Sequence, residues 1–557
     1  MKKITIKQVL FCTISLVSSM SCYAEFADVI YKNGTVWTGV SSQTSASAIA
    51  IKDKKIVAVG SSKSLAEFSG PKTQVVDLKG TFAMPGFIDN HVHFFEGGFA
   101  LASVDLRDAA SPEQFTNRIA DFSRKSQKGR WILNGNWDHE NWGGKLPNKN
   151  WIDSSTKDNP VFVIRLDGHM ALVNSAALAK AGITKYTKAP EGGTIEKDEN
   201  GELTGILKGN ALNLVLSIIP SPSEQEMLEA FKLAQAQALS VGLTKVFAMT
   251  ANETEATMLD NFRLAKAQGL MKLRAYVYTP IEHWQDLDAL VKKEGRGDEQ
   301  LGWGGVKGFA DGSLGAATAW FYNPYFNNPN SSGAPLTNPT QLKKMMSDAV
   351  AADLRLAIHA IGDKAIDNVL TDYQEIGGDN IESLRFRIEH FQHPNQEAID
   401  TIGKYKVIAS AQPYHAIDDG RWAEESIGSK RIKTTYAFRN ILDSGAILTF
   451  GSDWPVAPLS PLDGIYAAVT RRTTDNVNPK GWLPEEKITV EEALTAYTSA
   501  NAYAGFEEKI SGTLEKGKRA DLVILSADPR KVLPEKIKDI KVLNTVIDGE
   551  VVYQSTQ

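Results

Sequence analysis

Short apolar runs recur along this chain, and they come in two textures. At residues 26–31, 48–51, 55–59 and 75–77 they are brief and are separated by Asn33-Gly34, Asp53-Lys54 and Gly80. Runs of this length bounded by such turn residues predict strands joined by tight connections. The end of the chain reads alike, with β-rich stretches at 520–525 and 540–553 and a turn at Asp548-Gly549. In between, apolar runs at 161–166, 243–248, 272–278, 306–309, 356–359, 385–390, 407–411 and 447–450 alternate with stretches of helical character. Strand and helix in alternation over this length predict an α/β protein, a parallel sheet closed as a (β/α)8 TIM-type barrel. The terminal β segments flank it and are expected to pair into one small β-sandwich.

The expected boundaries follow from these textures. Residues 25–84 and 506–557 form the two parts of the sandwich, and 85–505 form the barrel. Residues from about 105 to 215 exceed a minimal barrel and are read as an insertion after the first barrel strand. The insertion holds Trp131, Trp137, Trp142 and Trp151. These supply either a wall or lid near the active face or simply the insertion's own core. No internal repeat is visible.

The first 24 residues differ again. Lys2, Lys3 and Lys7 precede an apolar stretch at 9–19, and Cys22-Tyr23-Ala24 ends on a small residue before Glu25. This is the pattern of a secretory signal peptide and is too short to span a membrane comfortably. Cleavage after Ala24 is expected, which puts the mature protein in the periplasm; acylation at Cys22 is the alternative. Cys12 and Cys22 are the only two cysteines, so the mature chain would have neither disulfides nor thiolate ligands. Loss of the three leader lysines takes the formal charge from −5 to −8, and no basic patch argues for nucleic acid. A small-molecule substrate is expected. A homodimer is compatible with the sequence, which leaves the oligomeric state open.

Against this background nine histidines carry the chemistry. His91 and His93 are two apart at the end of an apolar run, so in a strand they project together. His359 and His390 each end another run, and the run at 447–450 is followed by Asp453. Strand C-termini converge on one face of a barrel. Four such ends carrying imidazole or carboxylate predict a metal site at that mouth.

The motifs behind these residues are specific. Pro85-Gly86-Phe87-Ile88-Asp89-Asn90-His91-Val92-His93 resembles the opening metal motif of the amidohydrolase superfamily. Gly512-Thr513-Leu514-Glu515-Lys516-Gly517-Lys518-Arg519-Ala520-Asp521-Leu522-Val523 resembles the segment with which many of its members close their β-sandwich. Arg165-Leu166-Asp167-Gly168-His169, Lys307-Gly308-Phe309-Ala310-Asp311-Gly312, His359-Ala360-Ile361-Gly362-Asp363, Glu389-His390, Gln412-Pro413 and Gly451-Ser452-Asp453-Trp454-Pro455 resemble one branch of it. That branch is the YtcJ-like group with N-substituted formamide deformylase and AepA-type proteins.

The resemblance implies one or two divalent ions, zinc before others. His91, His93 and Asp453 would hold the more buried ion, His359 and His390 the second, and a carboxylated Lys307 would bridge them. Lys307 lies in an apolar, glycine-rich run where a free ammonium is costly to bury; Lys245 and Lys208 match the pattern less well. A divalent ion lowers the pKa of its water to roughly 7. Asp453 would act as general base and pass the proton to a leaving amine. Hydrolysis of a non-peptide C–N bond, amide or formamide in type, is the expected reaction. A lactone or ester on the same centre, and a regulatory protein that keeps the fold, are the alternatives. His169 and His415 are candidates to line the pocket and donate to substrate or oxyanion. Asp311 and Asp363 are candidates to orient the ligating histidines. Arg421 and Arg471 are candidates for a substrate carboxylate on charge alone. His139, His283 and His393 read as structural or surface.

Overall fold

The structure is a computed structural model that describes residues 26–43, 46–166, 168–250 and 258–556. The leader at 1–24 lies outside the described residues. Eight parallel strands pair in chain order: β1 (Phe87–Val92), β2 (Leu243–Met249), β3 (Arg274–Pro280), β4 (Leu301–Phe309), β5 (Arg355–Ala360), β6 (Arg387–His390), β7 (Ile408–Ala411) and β8 (Ile447–Phe450). Every residue of β1, β2 and β3 is buried. One face of each strand fills the barrel and the other packs under helices, as parallel sheets require. Helices return each strand to the next. The one from Glu224 to Ser240 starts with a reciprocal cap in which Ser223 and Glu226 satisfy each other's backbone N–H.

The seam between β8 and β1 is closed by loop residues. Val92 bridges to Trp454, the Asp453 N–H donates to the His91 carbonyl at 2.8 Å, and the His93 N–H donates to the Trp454 carbonyl at 2.8 Å. Gly451 is required there: a Cβ would stand 2.5 Å from Asn90 Oδ1 and 2.7 Å from the His91 nitrogen. Asn501 clamps the seam from outside, donating to the carbonyls of Ile88 and Phe450 at 2.5 and 2.8 Å.

The two chain ends meet in one hydrogen-bonded sheet of eight strands. Phe82–Pro85, which leads straight into β1, pairs antiparallel with Leu522–Leu525 near the other end of the chain. The sheet folds over a core of Tyr31, Ile49, Ile51, Leu522, Ile524 and Val546. Its Lys55–Gly60 edge then meets 517–520, where the Ile56 N–H donates to the Lys518 carbonyl at 2.9 Å. Below the barrel Arg274 donates to Asp521 at 2.7 Å and to Asp548, so the terminal sheet is tied to the N-terminal ends of the barrel strands.

Between β1 and β2 the chain builds a mixed six-stranded sheet from Val104–Asp105 to Leu203–Gly209. The run read at 161–166 belongs here, as Val161–Arg165, and not to the barrel; β1 itself supplies the missing eighth strand. Apolar periodicity alone does not separate a buried insertion strand from a barrel strand. Trp137 is fully buried against Phe115 and donates to the Val163 carbonyl, so it belongs to this layer's own core, and Trp131, Trp142 and Trp151 pack partly buried against that layer. Among the described residues no helix is long and apolar enough to cross a membrane.

Candidate metal centre and active site

The ligand-type residues sit at the C-terminal ends of the barrel strands. His91 lies in β1 and His93 just past it; Lys307 lies in β4, His359 in β5 and His390 at the end of β6; Asp453 follows β8. His390 and Asp453 have φ of +74° and +61°, the left-handed region that non-glycine residues enter at a cost of about 1–2 kcal/mol each. Clustering of such residues is a mark of functional sites.

The six residues predicted as ligands do come together. His93 Nε2 is 3.0 Å and His91 Nε2 3.5 Å from Asp453 Oδ1. Lys307 Nζ is 3.3 Å from His91 Nε2. The His390 ring lies 4.9 Å from that of His91 and 4.5 Å from that of His359, centre to centre. Two sets of donor atoms are close enough to share an ion: His91, His93 and Asp453, and also His390, His415 and Asp453, each within 4.8 Å. His415 therefore faces the metal residues directly, with Nε2 3.9 Å from Asp453 Oδ2. His359 is turned so that Nε2 meets the Gly312 carbonyl at 3.0 Å, which leaves Nδ1 as the nitrogen available to an ion.

Two buried polar atoms in this cluster have no hydrogen-bond partner among the described residues, Asp453 Oδ1 and His415 Nε2. The short contact of His93 Nε2 with Asp453 Oδ1 lacks hydrogen-bond alignment, as expected of donors aimed at a shared point. An unpaired buried carboxylate oxygen is costly. A divalent cation accounts for it and suits the imidazole and carboxylate donors around it.

Each ligand is held from behind. His91 Nδ1 contacts Glu389 Oε2 at 2.6 Å, His390 Nδ1 contacts Gln412 Oε1 at 2.8 Å, and His93 Nδ1 contacts the Met249 carbonyl at 3.2 Å. Such contacts fix the tautomer and ring orientation of a ligating histidine. Glu389 and Gln412 were not assigned from sequence. Arg387 and Glu389 are two apart in β6 and so share its inner face, which was a readable signal. Asp311 accepts the N–H groups of Trp320, Ile361 and Gly362 at 2.8–3.0 Å and stands 3.5 Å from His359 Nε2, bracing that ligand. Asp363 instead accepts the Tyr322 N–H at 2.9 Å, holding the loop after β4. His169 is exposed in the turn between Val161–Arg165 and Met170–Val173 and is not among the described lining of the cavity below. Lys245 meets Glu507 at 2.6 Å near the start of β2, and Lys208 meets Glu196 on the insertion.

Electrostatics match a ligand set. Burial, then the nearby Lys307, pushes His91 down to about 4 and His359 down to about 3, so both are neutral, as ligation requires. Burial alone would raise the Asp453 carboxyl, but the His93 contact and the surrounding imidazoles hold it well below its ordinary value. Burial pushes Asp89 and Asp311 up to about 7 in spite of the N–H groups they accept.

Above the cluster is a cavity of about 400 Å³, lined by His93, Lys307, His359, His390, His415 and Asp453 at its floor and by Phe309, Tyr414 and Trp422 on its walls. The insertion contributes nothing to its described lining. Residues 74–553 match the model of the amidohydrolase family. The chain belongs to that family. Among its relatives, Protein LONG AFTER FAR-RED 3 of Arabidopsis thaliana is 39% identical over 95% of this chain and 92% of its own length. N-substituted formamide deformylase of Arthrobacter pascens is 27% identical over 96% of this chain and 99% of its own. A metal-dependent hydrolase from Pyrococcus furiosus superposes with a TM-score of 0.75 at 32% identity, over 90% of this chain and 100% of that one. This amidohydrolase is thus a metal-dependent enzyme on a (β/α)8 barrel, of the branch that includes N-substituted formamide deformylase.

Proposed function

We propose that this amidohydrolase cleaves a non-peptide C–N bond of a small molecule, an amide or formamide, with zinc as the resident ion. The observation that carries the reading is the convergence of His91, His93, His390 and His415 on Asp453, whose buried Oδ1 has no hydrogen-bond partner among the described residues. His91, His93 and Asp453 would hold one ion. His390 and His359, through Nδ1, would hold a second. A carbamate on Lys307 would place an anion where an ammonium now lies 3.3 Å from His91 Nε2, and would bridge the two.

When bound, a divalent ion would lower the pKa of water toward roughly 7 and would polarise a carbonyl as a Lewis acid. Asp453 is ionised across the neutral range, accepts the proton of the attacking water and returns it to the leaving nitrogen. His415 Nε2, buried and without a hydrogen-bond partner among the described residues, would donate to the oxyanion that forms on the carbonyl. Phe309 and Trp422 exclude water from one side of the cavity. The leader at 1–24 makes the periplasm the place of action, which a cell fractionation would test.

The test is turnover of matched formamide, amide and lactone panels by protein reconstituted with zinc, alongside Asp453→Asn. Formamide or amide turnover that falls by at least about 10²-fold in the variant supports the reading. Turnover of lactones alone would overturn the bond assignment. An unchanged rate in Asp453→Asn would overturn the role of that carboxylate. Purified protein that retains no divalent metal would overturn the whole scheme.

A further inference from the structure

One wall of the cavity is the helix Pro413–Asp419. His415 and Asp419 are four residues apart on it, so they share a face, and both line the cavity. Asp419 is fixed there by one oxygen only. Its Oδ2 accepts the Tyr436 hydroxyl at 2.6 Å and the Gln392 amide at 2.9 Å. Among the described residues no donor meets its Oδ1. Burial pushes this carboxyl up, against the opposing pull of nearby His415, the Tyr436 hydrogen bond and Arg421.

The neighbouring Asp418 differs. It accepts from Arg421 at 2.6 Å and Thr474 at 3.3 Å, is half-exposed at the rim, and is already neutralised. Lys307 is the one lysine or arginine on the described lining, and it belongs to the metal residues. Neither arginine considered for a substrate carboxylate faces the cavity. Arg421 pairs with Asp418, and the fully buried Arg471 donates to the carbonyls of Trp482 and Tyr436 at 2.8 and 2.9 Å. This helix wall thus presents the Asp419 carboxylate beside the aromatic side chains of Trp422 and Tyr414. Such surfaces attract cations.

We propose that Asp419 is the specificity residue of this cavity and binds a protonated amine, or another cationic nitrogen, on the part of the substrate remote from the scissile bond. This deepens the amide-hydrolase reading and rests on it for calling the ligand a substrate. The Oδ2 contacts to Tyr436 and Gln392 hold the carboxylate so that Oδ1 is presented to the ligand without a rotamer search, which lowers the entropic cost of binding.

Binding of benzylammonium and of the near-isosteric neutral benzyl alcohol, measured by calorimetry at pH 7 on the metal-loaded full chain, tests this independently of turnover. Benzylammonium is expected to bind about tenfold more tightly, as for one partly buried charge-assisted contact. In Asp419→Asn its affinity should fall to that of benzyl alcohol, and Asp419→Glu should retain a preference. Equal binding of the two probes by the native protein would overturn the proposal. So would a preference that survives in Asp419→Asn, since the amine would then be held elsewhere, the metal included. If Asp419→Asn fails to fold, the native pair of affinities and Asp419→Glu decide. Absence of amide turnover would sink the hydrolase reading and leave this binding result standing.

Discussion

Glu389 lies at the centre of the site's support, and Glu389→Gln separates its structural role from its effect on the metal. Its Oε1 accepts from Arg387 Nε at 2.8 Å. Its Oε2 accepts from His91 Nδ1 at 2.6 Å, Ser410 Oγ at 2.7 Å and Arg387 at 3.1 Å. Burial would raise this carboxyl, but the charge of Arg387 and the His91 contact hold it far below its ordinary value. Glutamine keeps one acceptor. Its amide must replace Oε1, because at Oε2 it would face three donors. One bond to Arg387 is then lost, and the guanidinium, 1% exposed, loses its counter-ion. Breaking one side of a buried ion pair costs about 3–5 kcal/mol. The variant should lose that much in urea unfolding of the metal-free protein. Because His91 Nδ1–H then points at a neutral acceptor, metal affinity should also fall about 10–100-fold. Adding Arg387→Met should recover part of the stability loss, so that the double variant costs less than the sum of the singles. A loss below about 1 kcal/mol together with unchanged metal affinity would refute the idea that this carboxylate orients His91 and neutralises Arg387.

Three further outcomes are expected. If Lys307 carries a carbamate, zinc reconstitution of apoprotein in degassed buffer should restore little activity until bicarbonate is added; full recovery without bicarbonate would exclude the carbamate. His393 is buried and its pKa is pushed down to about 3 by burial and by Arg431, so it is neutral in the fold. Its contribution is present above the unfolded pKa of about 6.5 and is lost as pH falls toward 3. His393→Leu should therefore flatten the acid limb of the stability profile, and an unchanged limb would contradict it. Arg274, 4% exposed between Asp521 and Asp548, ties the terminal sheet to the barrel, and Arg274→Ala should cost about 3 kcal/mol in thermal or urea unfolding. A cost near zero would show that apolar packing alone docks that sheet.

The barrel was legible because its strands are short, apolar and punctuated, and the ligand residues because they end those strands. The one strand misplaced, Val161–Arg165, shows where that signal fails: a run buried on both faces reads alike in a barrel and in an inserted sheet. The insertion's tryptophans could not be apportioned between wall and core for the same reason. His91, His93, His359, His390 and Asp453 were found because each is a ligand-type residue at a strand end, and Lys307 through the family resemblance. Gln412 and Asp419 were not, since a buried carboxylate or amide announces no role until its partners are seen; Glu389 was missed although its spacing from Arg387 in β6 was a readable signal. His415 was read as a pocket residue and lies nearer the metal residues than that, which depends on how the helix after β7 enters the barrel mouth. No spacing along the chain encodes that entry.

The seam between β8 and β1 explains why the most specific motifs fall where they do. Asp89 accepts the Ser452 N–H at 3.0 Å and the His91 N–H at 3.0 Å, and Asn90 donates to Thr449 Oγ1 at 2.6 Å. Asp453 donates its own N–H to the His91 carbonyl while its side chain meets His91 and His93. The residues that close the barrel are therefore the ones that position the His91, His93 and Asp453 donors. A glycine at 451 is needed for close approach, and a left-handed Asp453 is needed to swing its carboxylate inward. That backbone strain, about 1–2 kcal/mol, is offset by the seam hydrogen bonds and by any ion held between the two strands. Barrel closure and metal binding should then be energetically coupled: removing the ion weakens the seam, and weakening the seam loosens the ion. In this chain the motifs Pro85–His93 and Gly451–Pro455 are two halves of one structural device, and neither half can be read as a ligand pattern alone.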